Sequence, residues 1–224
     1  MNESSLILRG DIGADICLIQ PVGEYDAEKI DEETGMIRSM VPDRKLAVAG
    51  VYVTDSNKEL SPWKAPAVFH GGEAFGDGAG QTLDRILSQV IPGAQTELQL
   101  SETVRYIIGG YSLAGLFALW AGYQTDLFDG VVAVSPSVWF PNWEDFISNH
   151  KMQAKKVYLS LGEKEAKTRN PVLATVANRI HLQHDRLTEQ LGEDNCILEW
   201  NPGNHFEEPD RRKAKGFGWM LESR

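Results

Sequence analysis

The sequence predicts an α/β fold of three layers, with a mostly parallel central sheet covered by helices on both faces. Three observations carry that expectation. Short, β-branched apolar runs alternate with helix-like stretches along most of the 224 residues. The runs are apolar almost throughout rather than at every second position, which marks strands buried on both sides. No repeat, low-complexity tract or Pro/Gly/Ser-rich linker interrupts the alternation, so residues 1–224 read as a single domain with no large cap domain.

The first buried strand is Ile16–Val22 (ICLIQPV), followed by a helix over Asp26–Met36 and a second strand, Leu46–Val53. A long turn-rich segment, Leu60–Gly78, precedes a helix over Gly80–Val90. The strand Val104–Gly109 then runs into a strongly apolar helix, Ser112–Tyr123. Gly130–Ser135 and Val157–Leu161 are further strands, separated by a helix over Trp143–His150. A long helix spans Pro171–Leu191, with Val172, Val176, Ile180, Leu187 and Leu191 on one face at helical spacing. Strand Cys196–Trp200 and helix Asp210–Leu221 complete the alternation. In such sheets ligands bind beyond the carboxyl ends of the strands.

Composition narrows the partners. A net charge of −10 repels phosphate backbones and anionic membrane surfaces, so neither nucleic acid nor a membrane is expected. MNESSLILRGD has no basic region of the kind a signal peptide begins with, and no run reaches the roughly 20 apolar residues of a membrane helix. Cys17 and Cys196 each sit inside an apolar run and read as buried, reduced thiols suited to the cytoplasm, with a disulfide as the alternative. His181 and His184 in HLQHD lack a third ligand, so no metal is expected, and no cofactor is implied. Monomer and homodimer are equally compatible with the sequence.

The stretch that carries chemistry is GGYSLAG, Gly109–Gly115. Ser112 falls in the turn from a buried strand into a helix, where a sharp backbone bend lifts a serine Oγ above the sheet edge. Close packing of strand on helix there requires small residues, and Gly110, Ala114 and Gly115 supply them. Ala114 departs from the usual G-x-S-x-G. The competing reading is a serine that only caps the helix.

A hydroxyl becomes a nucleophile only when a base takes its proton, and that base needs a partner to fix its tautomer. His205, in the loop NPGNHFEEP between the last strand and the last helix, is the histidine that can reach the elbow. His150 ends a helix, and His184 lies along the apolar stripe of the long helix. The acid should follow strand Val157–Leu161, where LGEKEAK offers Glu163 and Glu165.

With these pieces in the order Ser, acid, His, the chain resembles the α/β-hydrolase superfamily, and in particular its esterase D and enterochelin-esterase-like branch of small bacterial serine esterases. The resembling stretches are LSPW-AP, G-Y-S-L-A-G-L-F, VSPSVWF and GNHF. The resemblance implies Ser112 as nucleophile, His205 as base and Glu165, three residues after the strand-ending glycine, as acid. The oxyanion hole would then use the Leu113 N–H and one from Val22 or Gly23, in the loop after the strand two before the elbow. FHGG (Phe69–Gly72) looks like an oxyanion loop, but only one helix separates it from the elbow. Trp63, Trp139 and Phe140 are candidates to line a substrate pocket, or simply to pack a helix on the sheet.

The function implied is hydrolysis of a small-molecule carboxylic ester through an acyl-enzyme. An acyltransferase or thioesterase would use the same triad. A non-catalytic binding module on a hydrolase scaffold is the alternative from another class.

Overall fold

A computed structural model describes residues 6–68 and 71–222. The strands are β1 (Leu6–Gly10), β2 (Ile16–Val22), β3 (Leu46–Tyr52), β4 (Arg105–Tyr111), β5 (Phe128–Val134), β6 (Lys156–Gly162) and β7 (Cys196–Asn201). They form one sheet in the order β1-β3-β2-β4-β5-β6-β7, and only the β1–β3 pair is antiparallel. β2 through β6 are almost wholly buried, as their apolar runs require.

Helices cover both faces. On one face lie α1 (Glu24–Met40) and α8 (Pro209–Leu221), packed on each other and on the sheet through Ile30, Ile37, Ala214 and Phe217. The other face carries α3 (Ala79–Arg85), α4 (Ile91–Glu97), α5 (Leu113–Gln124), α6 (Trp143–Asn149) and α7 (Val176–Leu191), and the short α2 (Ser56–Glu59) follows β3. No described helix is long and apolar enough to cross a membrane. Cys17 and Cys196 are buried free thiols on β2 and β7.

The edge strand β1 was not expected from the sequence. Its five residues are only half-buried or exposed, so LILRG lacks the all-apolar signature, and pairing with β3 (Leu6↔Val51 through Gly10↔Ala47) is what makes it a strand. The helix expected to stop at Val90 continues through Pro92. A π turn over Ile86–Val90 joins α3 to α4, and it opens the ladder where the proline ring would otherwise strike the carbonyl four residues back. On α7 the apolar stripe holds at Val176, Ile180 and Leu187. Val172 lies exposed before the helix, and Gln183 is fully buried, bonded to the Trp143 indole and the Tyr123 hydroxyl.

The sequence RRK at 211–213 looks like a solvated run, yet Arg212 and Lys213 are both buried. Lys213 Nζ reaches Asp26 Oδ1 at 2.9 Å, Glu33 Oε2 at 3.0 Å and Asp210 Oδ1 at 3.6 Å, pinning α8 to α1. Burial alone would lower the ammonium pKa, but the Glu33 and Asp26 carboxylates outweigh it and hold it above its ordinary value. Burial also pushes the Glu33 carboxyl up, against the pull of Lys213. Lys213→Met should therefore cost about 3–5 kcal/mol, because it strands the Glu33 carboxylate, which is 1% exposed, without its cation. At roughly 2–4 °C per kcal/mol for a chain of this size, thermal melts at neutral pH should show the loss plainly. A melting temperature equal to wild type would refute it.

Candidate active site

The bend after β4 is set by close approach. A Cβ on Gly110 would lie 2.6 Å from the backbone of Ala114, so only glycine lets the helix turn back so tightly over the strand. Ser112 then takes φ 56° and ψ −117°, a conformation that an L residue adopts only when its surroundings impose it. They do so here through bonds from Ser112 N to Val134 O (3.0 Å) and from Ser137 N to Ser112 O (3.1 Å). The serine is thus carried on the bend ahead of α5, with no side-chain cap bond to the helix.

His205 Nε2 lies 3.0 Å from Ser112 Oγ, and its Nδ1 lies 2.7 Å from Glu165 Oε2. The three side chains come from the bend after β4, the turn after β6 and the loop after β7, all at the carboxyl edge of the sheet. Glu165 is 4% exposed and His205 32%. Of the two carboxylates open in the sequence, Glu165 meets the imidazole, while Glu163 is exposed.

The second Glu165 oxygen is held as firmly as the first. Oε1 accepts from Ser135 Oγ at 2.6 Å, Gly162 N at 2.7 Å and Arg212 Nη1 at 3.3 Å. Burial pushes this carboxyl up. Hydrogen bonds from His205 and Ser135, the His205 charge and the Gly162 N–H together outweigh it, so its pKa lies below the ordinary 4.5. Arg212 also donates to the carbonyls of Pro202 (2.7 Å) and Asn204 (3.2 Å), and the Tyr111 hydroxyl donates to His205 O at 2.5 Å. The histidine loop is therefore tied to the same cluster as the carboxylate it faces.

Ser135, Tyr111 and Arg212 were not singled out in the sequence. Ser135 and Tyr111 stand at or beside the carboxyl ends of strands, where ligands bind in such sheets, so position could have flagged them. Arg212 gave no signal, because its burial depends on how α8 packs.

The residues expected in the oxyanion hole divide. Leu113 N–H follows the serine at the start of α5. Val22 O accepts from Val53 N, so it faces β3, and in an extended strand the Val22 N–H points to that same side, away from Ser112. This removes Val22 as a donor. Across the planar trans peptide the Gly23 N–H points the opposite way, toward β4, but it donates to Asp26 Oδ2 at 3.3 Å.

Two hollows meet at Ser112, and Trp139 lines both. Neither is lined by Trp63 or Phe140, which the sequence had put beside it as pocket candidates. Phe140 is fully buried, and the Trp63 ring packs against Phe140, Trp143 and Phe146 while its indole donates to Pro141 O. Their apolar area is used to seat α6 on the sheet.

The other described histidines lie elsewhere. His150 bonds to Phe146 O, His181 packs on Trp200, and His184 sits near Asp185 and Thr188. Among the described residues no three His, Cys, Asp or Glu side chains cluster as metal ligands. Phe69 and His70, half of the FHGG stretch, lie outside the described residues.

Comparison with known proteins places the chain in a family. Residues 32–208 match the model of the Esterase family ("Putative esterase"). Curated protein sequences yield no match. Among solved structures, an IroE-like serine hydrolase from Shewanella oneidensis superposes with a TM-score of 0.75 at 16% identity, covering 96% of this chain and 75% of that one. Siderophore hydrolase EstA from Aspergillus nidulans gives 0.71 at 17% identity, covering 96% and 94%. The enterobactin esterase FES from Shigella flexneri gives 0.67 at 15%, covering 96% and 54%. At these identities the superpositions speak for the fold, and the family match for the kind of enzyme. The chain belongs to the Esterase family, an esterase built on the α/β-hydrolase fold.

Proposed function

We propose that the protein is a serine hydrolase of carboxylic esters, with Ser112 as nucleophile, His205 as general base and acid, and Glu165 as the acid that orients the imidazole. The observation that carries this reading is the unbroken chain from Ser112 Oγ to His205 Nε2 (3.0 Å) and from His205 Nδ1 to Glu165 Oε2 (2.7 Å). Both distances lie within the reach that proton transfer requires.

In the first half-reaction Ser112 Oγ attacks the ester carbonyl carbon while its proton passes to His205 Nε2. The tetrahedral intermediate collapses, the bond from carbon to the alcohol oxygen breaks, and the alcohol leaves with the proton from His205. Water then attacks the acyl-enzyme, giving its proton to His205. Collapse returns that proton to Ser112 Oγ and releases the carboxylic acid. Glu165, held below its ordinary pKa, stays ionised throughout and faces the imidazolium as it forms.

The oxyanion is assigned to the Leu113 N–H and to the Gly23 N–H, whose 3.3 Å bond to Asp26 is long enough to be exchanged for a stronger acceptor. One continuous sheet supports reading the chain as a single catalytic domain. The buried, unpaired thiols suit a reducing compartment and so the cytoplasm.

The test is covalent labelling. Incubation with a small fluorophosphonate, followed by peptide mass spectrometry, should find the adduct on Ser112 and on no other serine. A folded protein that takes no label would mean that the hydroxyl is not activated, and the reading would fall.

A further inference from the structure

The two hollows that meet at Ser112 are unequal in size and in charge, and resting on the serine-hydrolase reading above, they sort the two halves of the substrate. The larger, about 520 Å³, is lined by His205, Phe206, Leu173, Lys164 and Lys167. The smaller, about 290 Å³, is lined by Leu113, Val68, Phe75, Ser137 and Glu73. Trp139 stands in the walls of both.

The chemistry fixes which half goes where. The departing alkoxide takes its proton from His205 Nε2, so the alcohol oxygen must lie within hydrogen-bond reach of that nitrogen. The alcohol half therefore extends into the hollow that His205 lines. The carbonyl oxygen turns to the Leu113 N–H, and the acyl chain follows into the hollow that Leu113 lines.

Charge then separates the two halves. On a chain of net charge −10, the alcohol hollow carries Lys164 and Lys167, and neither has an ion-pair partner among the described residues, whereas the Glu165 carboxylate that also lines it is 4% exposed and already met by His205 and Arg212. Their turn is fixed, because Lys164 N donates to Gly203 O and Lys167 N to Lys164 O. The acyl hollow carries Glu73 instead. The alcohol hollow also has an apolar wall, to which Phe206 adds a ring that is 87% exposed beside the base, an apolar surface positioned to meet substrate.

We infer that the preferred substrate is an ester joining a compact acyl group without negative charge to a larger alcohol that has an apolar or aromatic body and an anionic group.

Three esters test this by steady-state kinetics on the intact protein: phenyl acetate, 4-carboxyphenyl acetate, and the monophenyl ester of succinic acid. The second carries its negative charge in the alcohol half and the third in the acyl half. Two exposed charge contacts should raise kcat/KM for 4-carboxyphenyl acetate over phenyl acetate by roughly 5- to 10-fold, with monophenyl succinate slowest. In the double variant Lys164→Gln/Lys167→Gln that ratio should fall toward one. A ratio of one or less in the wild type, a ratio unmoved by the double variant, or a preference for the succinate would overturn the inference while leaving the serine-hydrolase reading intact. Failure to hydrolyse all three esters, together with no fluorophosphonate label on Ser112, would overturn both.

Discussion

Ser112→Ala is expected to lower kcat for phenyl acetate by on the order of 10⁶-fold, the scale seen when a triad serine is removed. The substitution takes away one atom, the Oγ that lies 3.0 Å from His205 Nε2. Alanine keeps the Cβ, so the φ of 56° is neither relieved nor worsened, and the backbone bonds to Val134 and Ser137 that fix the bend do not involve the hydroxyl. Thermal melting and circular dichroism should therefore match wild type while turnover vanishes. A variant hydrolysing the ester within tenfold of the wild-type rate would eliminate Ser112 as the nucleophile.

The second large effect is at Glu165. Glu165→Gln should cost about 10⁴-fold in kcat, because a neutral amide neither fixes the imidazole tautomer nor offsets the charge His205 gains. It should also destabilise the fold, since the buried Arg212 loses its carboxylate and Ser135 and Gly162 lose an ionised acceptor.

The pH dependence has a definite sign. The native Glu165 pKa is depressed below 4.5. Its stabilising contribution is thus complete above the unfolded value and disappears as pH falls through the native one. The gap in melting temperature between wild type and Glu165→Gln should close progressively below about pH 4.5. A gap that persists undiminished into strong acid would show that the carboxylate charge is not what stabilises the cluster.

Much of the architecture was legible because local chemistry demanded it. Strands β2 to β6 are buried on both faces, so each had to be apolar along its whole length, and that pattern survives in the sequence. The elbow was legible for a similar reason: the bend at Ser112 tolerates almost no side chain at Gly110 and little at Ala114. The edge strand β1 escaped because it is only half covered, and the helix through Pro92 escaped because a π turn absorbs a residue that normally ends helices.

The sequence by itself determined the fold class, the family resemblance, and which serine and histidine come within reach of each other, since each depends on residue type at a fixed place along the chain. Only the tertiary structure decided the rest. It brought Glu165 rather than Glu163 to the imidazole, turned the Val22 N–H toward β3, and committed Trp63 and Phe140 to seating α6. It buried Arg212 beneath the carboxylate and Lys213 among three others, although both stand in an ordinary basic run. Direction and burial depend on how helices lie across the sheet, and neighbours distant in sequence impose that. No local pattern of residue types records it.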